Sequence, residues 1–350
     1  MQAKALGAQW EALCGAMAGN RRILELFSAY LRTDPAFVQE GSLLRLQKET
    51  LVDAPTAFCA LVSAYSDLDA YGADRDFYRE YLLPSVTQLD PAVYEADPYY
   101  QNIRIGSQQL GSWKLQQEYY APYEAFVWRD PVCLPDGREI PQIGFFPCSF
   151  SFPSVSEGGR QWMSVTPNEI ETMKAPLALA RGRVVTFGLG LGYFAYMASC
   201  KPEVEKVVVV ERSEQVIELF TQYILPQFSH PEKISVRQED AFSFAGSPQM
   251  KDFDLVFCDL WHDVSDGLEM YLRLKRLEKQ AGSKSPWQYW IEPSLLCQLR
   301  RMVFDQLCAA LEGPGGSVLK QEGAQRLIHY LSDSFLKELA GDVRPVSKGQ

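Results

Sequence analysis

The chain has 350 residues, 47% of them hydrophobic, and a formal net charge of −10 at pH 7. That length admits two domains or one large domain with an extension, and the apolar fraction is enough for a sizeable core. The acidic balance excludes a broad nucleic-acid or anionic-membrane surface, because phosphate binding is driven by Lys and Arg.

Cys14, Cys59, Cys133, Cys148, Cys200, Cys258, Cys297 and Cys308 are scattered, with no C-x-x-C pair and no histidine cluster beside them. They read as free thiols in a reducing compartment, with no metal site. No basic-then-apolar leader pattern and no 18-residue apolar run occurs, so the expectation is a cytoplasmic protein without membrane spans.

Residues 1 to about 120 read as helices. Trp10, Leu13, Cys14 and Met17 keep one helical face; Ile23, Leu26, Phe27, Tyr30 and Leu31 keep the next. Asp34-Pro35, Asp90-Pro91 and Asp97-Pro98 each suit an N-cap followed by proline at the first helical position. The block holds no catalytic motif; it is expected to supply part of a substrate pocket or a homodimer surface.

From Tyr123 the period changes. Ala125–Trp128 and Glu139–Phe146 suit strands around the turn Leu134-Pro-Asp-Gly137, with Pro141 confining the second strand to an edge. Ser154 to Arg160 reads as a Gly/Ser-rich loop, either a flap or an ordinary surface loop. Thr166-Pro-Asn-Glu169 has the pattern of a capping box opening a helix to about Lys174, which Pro176 ends or kinks.

The organising stretch follows. Val184-Val-Thr-Phe187 breaks into Gly188-Leu-Gly190-Leu-Gly192, and a helix-like segment resumes at Tyr193. Strand, glycine turn and helix form the layout in which backbone N–H groups face a ligand's polar groups. Three further strands each end in an acid: Lys206–Glu211, Ile234–Asp240 and Phe253–Asp259. Glu211 lies 19 residues beyond Gly192, a spacing at which a carboxylate accepts both ribose hydroxyls. Between the first two strands Val216, Ile217, Phe220, Tyr223 and Ile224 form a helical stripe with Ser213 as its N-cap. A helix from Leu268, a strand Gln288–Ile291 and a helix from Pro293 to Leu311 complete the series, with no sixth or seventh strand.

From Thr166 to Ile291 the chain resembles the S-adenosylmethionine-dependent methyltransferases of the Rossmann-like class, in particular their spermidine synthase-like branch. The resemblance implies an α/β fold with a parallel sheet in the order 3-2-1-4-5. A helical N-terminal domain (1–122) and a β-hairpin element (123–165) would precede the cofactor domain (166–340). It implies S-adenosylmethionine as cofactor, Gly188, Gly190 and Gly192 as the loop under its methionine part, and Glu211 on the ribose. Asp240 with the backbone of Ala241 would read the adenine, and Asp259 would stand beside the transferred group. The segment before the glycine strand borders the active site in such enzymes, which makes Trp162, Ser164, Thr166 and Glu169 secondary candidates. Two positions depart from the pattern: Thr186 stands where methyltransferases commonly carry an acid, and His262 where aminopropyltransferases carry a second aspartate.

Transfer from a sulfonium is an in-line displacement at carbon, in which protein groups align the nucleophile and take its proton. Asp259, His262 and Asp263 are the candidate bases, His262 because it titrates in the useful range. Trp261 and Tyr193 offer π-faces to a cation, or pack in the core. The leading reading is a methyltransferase acting on a small molecule. An aminopropyltransferase-like enzyme and a nucleoside-binding protein without turnover are the alternatives. Gly190-Leu-Gly192-Tyr-Phe-Ala195 also fits a dinucleotide fingerprint.

Overall fold

The computed structural model describes residues 6–282, 285–313 and 316–342, which divide into two compact units. Residues 6–92, 119–151 and 300–332 form one; residues 93–118, 152–299 and 333–342 form the other.

In the first unit both apolar stripes lie on a single helix, Ala8–Thr33. Trp10, Leu13 and Met17 join Leu311, Leu327 and Leu331 in one core. Ile23, Phe27 and Tyr30 join Phe58, Val62, Leu82 and Phe145 in a second. Asp34-Pro35 ends this helix instead of starting another: Asp34 is its C-cap, because a residue before proline avoids helical backbone. Asp90 and Asp97 do cap helices, accepting from Ala92 N at 3.0 Å and Tyr99 N at 2.8 Å.

The stretch expected to be helical to residue 120 is interrupted by the strands Val86–Gln88, Gln108–Leu110 and Trp113–Tyr120. Only Trp113 and Leu115 of the last are both apolar and buried, too few to print a two-residue period. Val86–Gln88 runs parallel to Glu139–Phe145, which also pairs antiparallel with Phe126–Cys133. Glu139–Phe145 is therefore the central strand of three, and the edge position expected from Pro141 is wrong. Proline is tolerated because the ladder shifts register between Arg129 and Val132, and Val86–Gln88 pairs only from Ile143 onward. The Asp-Gly turn forms as read, with Gly137 at φ +89° and Leu134 N donating to Arg138 O at 2.8 Å.

In the second unit five parallel strands form one sheet: β1 (Gly182–Phe187), β2 (Val204–Glu211), β3 (Ile234–Gln238), β4 (Leu255–Cys258) and β5 (Trp287–Tyr289). Their order is β3-β2-β1-β4-β5, a Rossmann-like α/β sheet. Val207–Val210 and Leu255–Cys258 are fully buried, the continuous apolar strands that a sheet covered on both faces requires. Ser213 caps the helix Glu214–Leu219, accepting from Val216 N at 3.3 Å, and the helical path continues through a wider turn, Phe220–Ile224.

A second sheet has the order Gln108–Leu110, Trp113–Tyr120, Phe150–Glu157, Arg160–Ser164. Residues 154–160, expected as a loop, are mostly strand. The Ser- and Gly-rich composition misleads there: Ser154 and Ser156 are buried in the strand, and only Gly158 and Gly159, at φ +57° and +84°, make the turn.

The helix expected at Thr166 runs from Pro167 through Pro176 to Leu179. Thr166 makes no side-chain cap bond, so the capping box is absent. Glu169 turns into the interior and is 7% exposed. The helix after β4 begins earlier than expected, at Val264, because Asp263 and Asp266 form a capping box there. Among the described residues no helix is long and apolar enough to cross a membrane.

Candidate active site at the carboxyl ends of the parallel strands

The loop after β1 is fixed on both sides. Gly188 N donates to Val210 O of β2, and Asp259 N to Phe187 O, each at 2.9 Å. Gly188, Gly190 and Gly192 all have positive φ (+95°, +49° and +74°), a region L side chains enter only with strain. A β-carbon on Gly188 would collide with the Asp259 carbonyl, on Gly190 with the Met163 thioether, and on Gly192 with the Phe220 ring. The close approach that demands glycine here is between parts of this chain.

Glu211 closes the loop from the end of β2. One carboxylate oxygen accepts from Leu189 N at 3.2 Å, the other from Ser213 N at 2.8 Å. Each oxygen keeps lone-pair capacity for a hydroxyl donor. Glu211 lines a cavity of about 370 Å³ together with Gly190, Arg212, Ser213, Gln215 and Val216. The opposite wall comes from the second sheet: Trp113, Val155, Glu157 and Trp162. The Trp113 and Trp162 rings meet edge to face, 6.3 Å apart.

Asp240 is exposed and caps the helix Ala241–Ala245, its Oδ1 accepting from Ser243 N at 2.8 Å and Ser243 Oγ at 2.9 Å. Neither Asp240 nor Ala241 is among the residues that line the cavity at Glu211.

The acid at the end of β4 has a different environment. Burial, and then the charge of Glu211, push the Asp259 carboxyl up to about 7. Glu169 is deeper: burial, followed by the negative charge of Asp259, drives it well above the usual carboxylate range. Its Oε2 is buried and makes no hydrogen bond.

His262 lies 3.4 Å by Nδ1 from Asp263 Oδ2, and its ring centroid stands 6.4 Å from that of Trp162. Its backbone N–H donates to the Asp266 carboxylate at 3.1 Å. Asp263 is occupied by capping: its Oδ1 accepts from Ser265 N and Ser265 Oγ at 2.7 and 2.5 Å. Partial burial opposes ionisation of Asp263, but these bonds and His262 hold it below the usual range. An exposed, low-lying carboxylate committed to a cap is a poor proton acceptor at neutral pH.

Tyr193 and Trp261 are both core residues, 2% and 4% exposed. Tyr193 donates to Asp97 Oδ2 at 2.9 Å, and Tyr99 to Leu191 O at 2.6 Å, so these tyrosines brace the glycine loop. Glu169, in sequence both a capping-box residue and a secondary site candidate, is buried on its helix together with Ile170 and Met173. Trp113 and Glu157 carry no signal in the sequence, since only the fold of a distant hairpin brings them to Glu211.

No family model matches the chain, and no curated protein matches it. Among solved structures it is similar to the spermidine synthase of Thermotoga maritima: 15% identity, TM-score 0.34, covering 57% of this chain and 63% of that one. A spermidine synthase in complex with the transition-state analogue AdoDATO is similar at 14% identity and TM-score 0.34, over 57% of this chain and 62% of that one. A probable spermidine synthase from Corynebacterium glutamicum ATCC 13032 follows at 13% and 0.33, over 51% and 60%. The chain thus spans about three-fifths of the length of each.

Proposed function

We propose that the chain is an alkyl transferase of the aminopropyl type, which binds decarboxylated S-adenosylmethionine and passes its aminopropyl group to an amine-bearing small molecule. The observation that carries this reading is two acids whose charges reach one another, Glu169, buried on the helix Pro167–Leu179, and Asp259, half-buried just after β4; neither forms an ion pair with Lys or Arg among the described residues. Such a site repels a carboxylate and attracts an ammonium or sulfonium group. Decarboxylated S-adenosylmethionine carries both cations and lacks the carboxylate.

The residues fit the ligand at its ribose end as well. Glu211 has acceptor capacity for two hydroxyls beyond its bonds to Leu189 N and Ser213 N. The cavity volume of about 370 Å³ lies within the span of roughly 300–1,000 Å³ common for small-molecule sites. When bound, the cofactor supplies an electrophilic carbon on sulfur; the chain's own contribution is position and a proton acceptor. Asp259, held to about 7, has the proton affinity a general base needs near neutral pH.

A second reading, methyl transfer from S-adenosylmethionine to a small molecule, is favoured by Arg212, an exposed cation on the cavity wall able to pair with a methionine carboxylate.

Calorimetric titration with decarboxylated S-adenosylmethionine, S-adenosylmethionine, S-adenosylhomocysteine and NAD tests both. The expected result is binding of the decarboxylated form at least about tenfold tighter than its parent, since each 1.4 kcal/mol is a factor of ten. Preference for S-adenosylmethionine would move the assignment to methyl transfer. Binding of NAD alone would overturn both readings.

A further inference from the structure

We infer that the cavity beside Glu211 holds an adenine base against the second sheet, stacked on Trp162 and read at its edge by the Gln215 amide, instead of at the end of β3. The inference rests on the proposed function in one respect, that Glu211 takes the ribose hydroxyls.

A nucleobase is a flat ring with apolar faces and hydrogen-bonding edges. It needs an aromatic or apolar wall for its faces and a donor–acceptor group at its rim. The cavity has both. Trp113, Val155 and Trp162 line it from three neighbouring strands of the second sheet, Trp113–Tyr120, Phe150–Glu157 and Arg160–Ser164. Val216, on the helix Glu214–Leu219, and Gly190 line the other side. Trp113 is buried and meets Trp162 edge to face, 6.3 Å away, so it buttresses that ring. Trp162 is half-buried and keeps the surface that a base can cover.

One residue fixes the rim group relative to the ribose acceptor. Ser213 N donates to Glu211 Oε1 at 2.8 Å, and Ser213 Oγ donates to Gln215 Oε1 at 3.4 Å. A ribose held at Glu211 places its base in the same cavity, and Gln215 is the amide that lines it. Gln215 Nε2 makes no hydrogen bond among the described residues. The amide therefore offers a donor and, on Oε1, a remaining lone pair. That pair complements adenine N7 and its N6 amino group. Guanine and hypoxanthine present two acceptors, O6 and N7, on the same edge and can take only the donor.

The residues expected to read adenine are placed elsewhere. Asp240 Oδ1 accepts from Ser243 N and Ser243 Oγ at 2.8 and 2.9 Å, and neither Asp240 nor Ala241 lines the cavity.

The test is calorimetric titration of the full chain with adenosine, inosine and guanosine, for wild type, Gln215→Leu, Trp162→Ala and Asp240→Ala. Wild type should prefer adenosine by roughly 5- to 150-fold, the discrimination of one bidentate amide–adenine contact. Gln215 is exposed, so Gln215→Leu should fold, and it should erase that preference by weakening adenosine alone. Trp162→Ala should weaken all three nucleosides alike, again by roughly 5- to 150-fold, because every base has a face to stack. Asp240→Ala should leave the preference unchanged. A preference unmoved by Gln215→Leu would overturn the inference, whichever way Trp162→Ala behaves. If Asp240→Ala removed it instead, the base would lie at the end of β3 and the transferase reading would stand. Adenine preference carried by Gln215, without affinity for S-adenosylmethionine or its decarboxylated form, would keep the base slot and discard the proposed function. Failure to bind any nucleoside would overturn both.

Discussion

The Met163 side chain lies directly on Gly190, filling the space a β-carbon there would need. This links the hairpin strand Arg160–Ser164 to the glycine loop at one point, where backbone at φ +49° meets a thioether. Gly190→Ala therefore suffers twice, from left-handed backbone and from overlap with Met163. The expected cost is about 2–5 kcal/mol, combining roughly 1–2 for the backbone with 1–3 for overpacking. Met163→Ala in the same chain should recover the overlap but not the backbone part. A double-mutant cycle read by urea midpoints checks this: additive losses would mean the two residues do not meet.

Asp259 makes the protein's stability depend on pH in an unusual direction. An ordinary buried carboxylate with a partner has a lowered value and adds stability above it; Asp259 is raised from 3.8 to about 7. The folded chain thus binds this proton more tightly than the unfolded chain. That contribution is fully present below about pH 4 and is lost as pH rises through about 7. Asp259→Asn cannot ionise, so relative to wild type it should gain stability between pH 5 and pH 8. The ceiling is about 4 kcal/mol for a change of this size, and water at the partly exposed carboxyl reduces it to roughly 1–2. Urea midpoints at the two pH values measure it, and a constant difference would contradict the raised value.

What was legible in the sequence follows from how local its cause was. The runs ending in Glu211 and Asp259 announced buried parallel strands because every residue from Val207 to Val210, and from Leu255 to Cys258, is apolar and covered on both faces. The glycines were legible because positive φ is a local demand. The capping box at Thr166 and Glu169 was misread because capping is judged from four consecutive residues, whereas the inward turn of Glu169 depends on what the helix packs against. The cavity's far wall was not legible at all: Trp113 and Glu157 stand about 100 and 54 residues from Glu211 in the chain, a pairing that only tertiary structure creates. Pro141 was misplaced for the same reason, since an irregular ladder cancels a rule that assumes a regular one.

Glu139 anchors a buried ion pair in the first unit. It is bonded to Arg300 and, at 3.1 Å, to Arg301, while its backbone N–H donates to Asn20 Oδ1 at 2.8 Å. Arg300 is 7% exposed, so removing its carboxylate leaves a guanidinium away from water. Glu139→Ala should cost about 3–5 kcal/mol, the range for breaking one partner of a buried pair. Thermal unfolding should show a large drop, and a change of under about 1 kcal/mol would mean that solvent reaches the arginines.

Glu211 separates a ligand role from a structural one, because its two oxygens already serve Leu189 N and Ser213 N. Glu211→Gln keeps one oxygen acceptor and the side-chain shape, so the loop should remain folded with a loss of about 1–2 kcal/mol. Its amide nitrogen, however, cannot accept a hydroxyl, and the charge is gone. Hydrogen bonds to a charged group contribute about 1.5–3 kcal/mol each, so losing one ribose contact should raise the nucleoside Kd by roughly 10- to 100-fold. Calorimetry on the variant, with circular dichroism to confirm the fold, reads the two effects apart. If Glu211→Gln binds the nucleoside as tightly as wild type, Glu211 is only a brace for the glycine loop. The cavity beside it would then have to recognise its ligand through Trp113, Trp162, Glu157 and Arg212 instead.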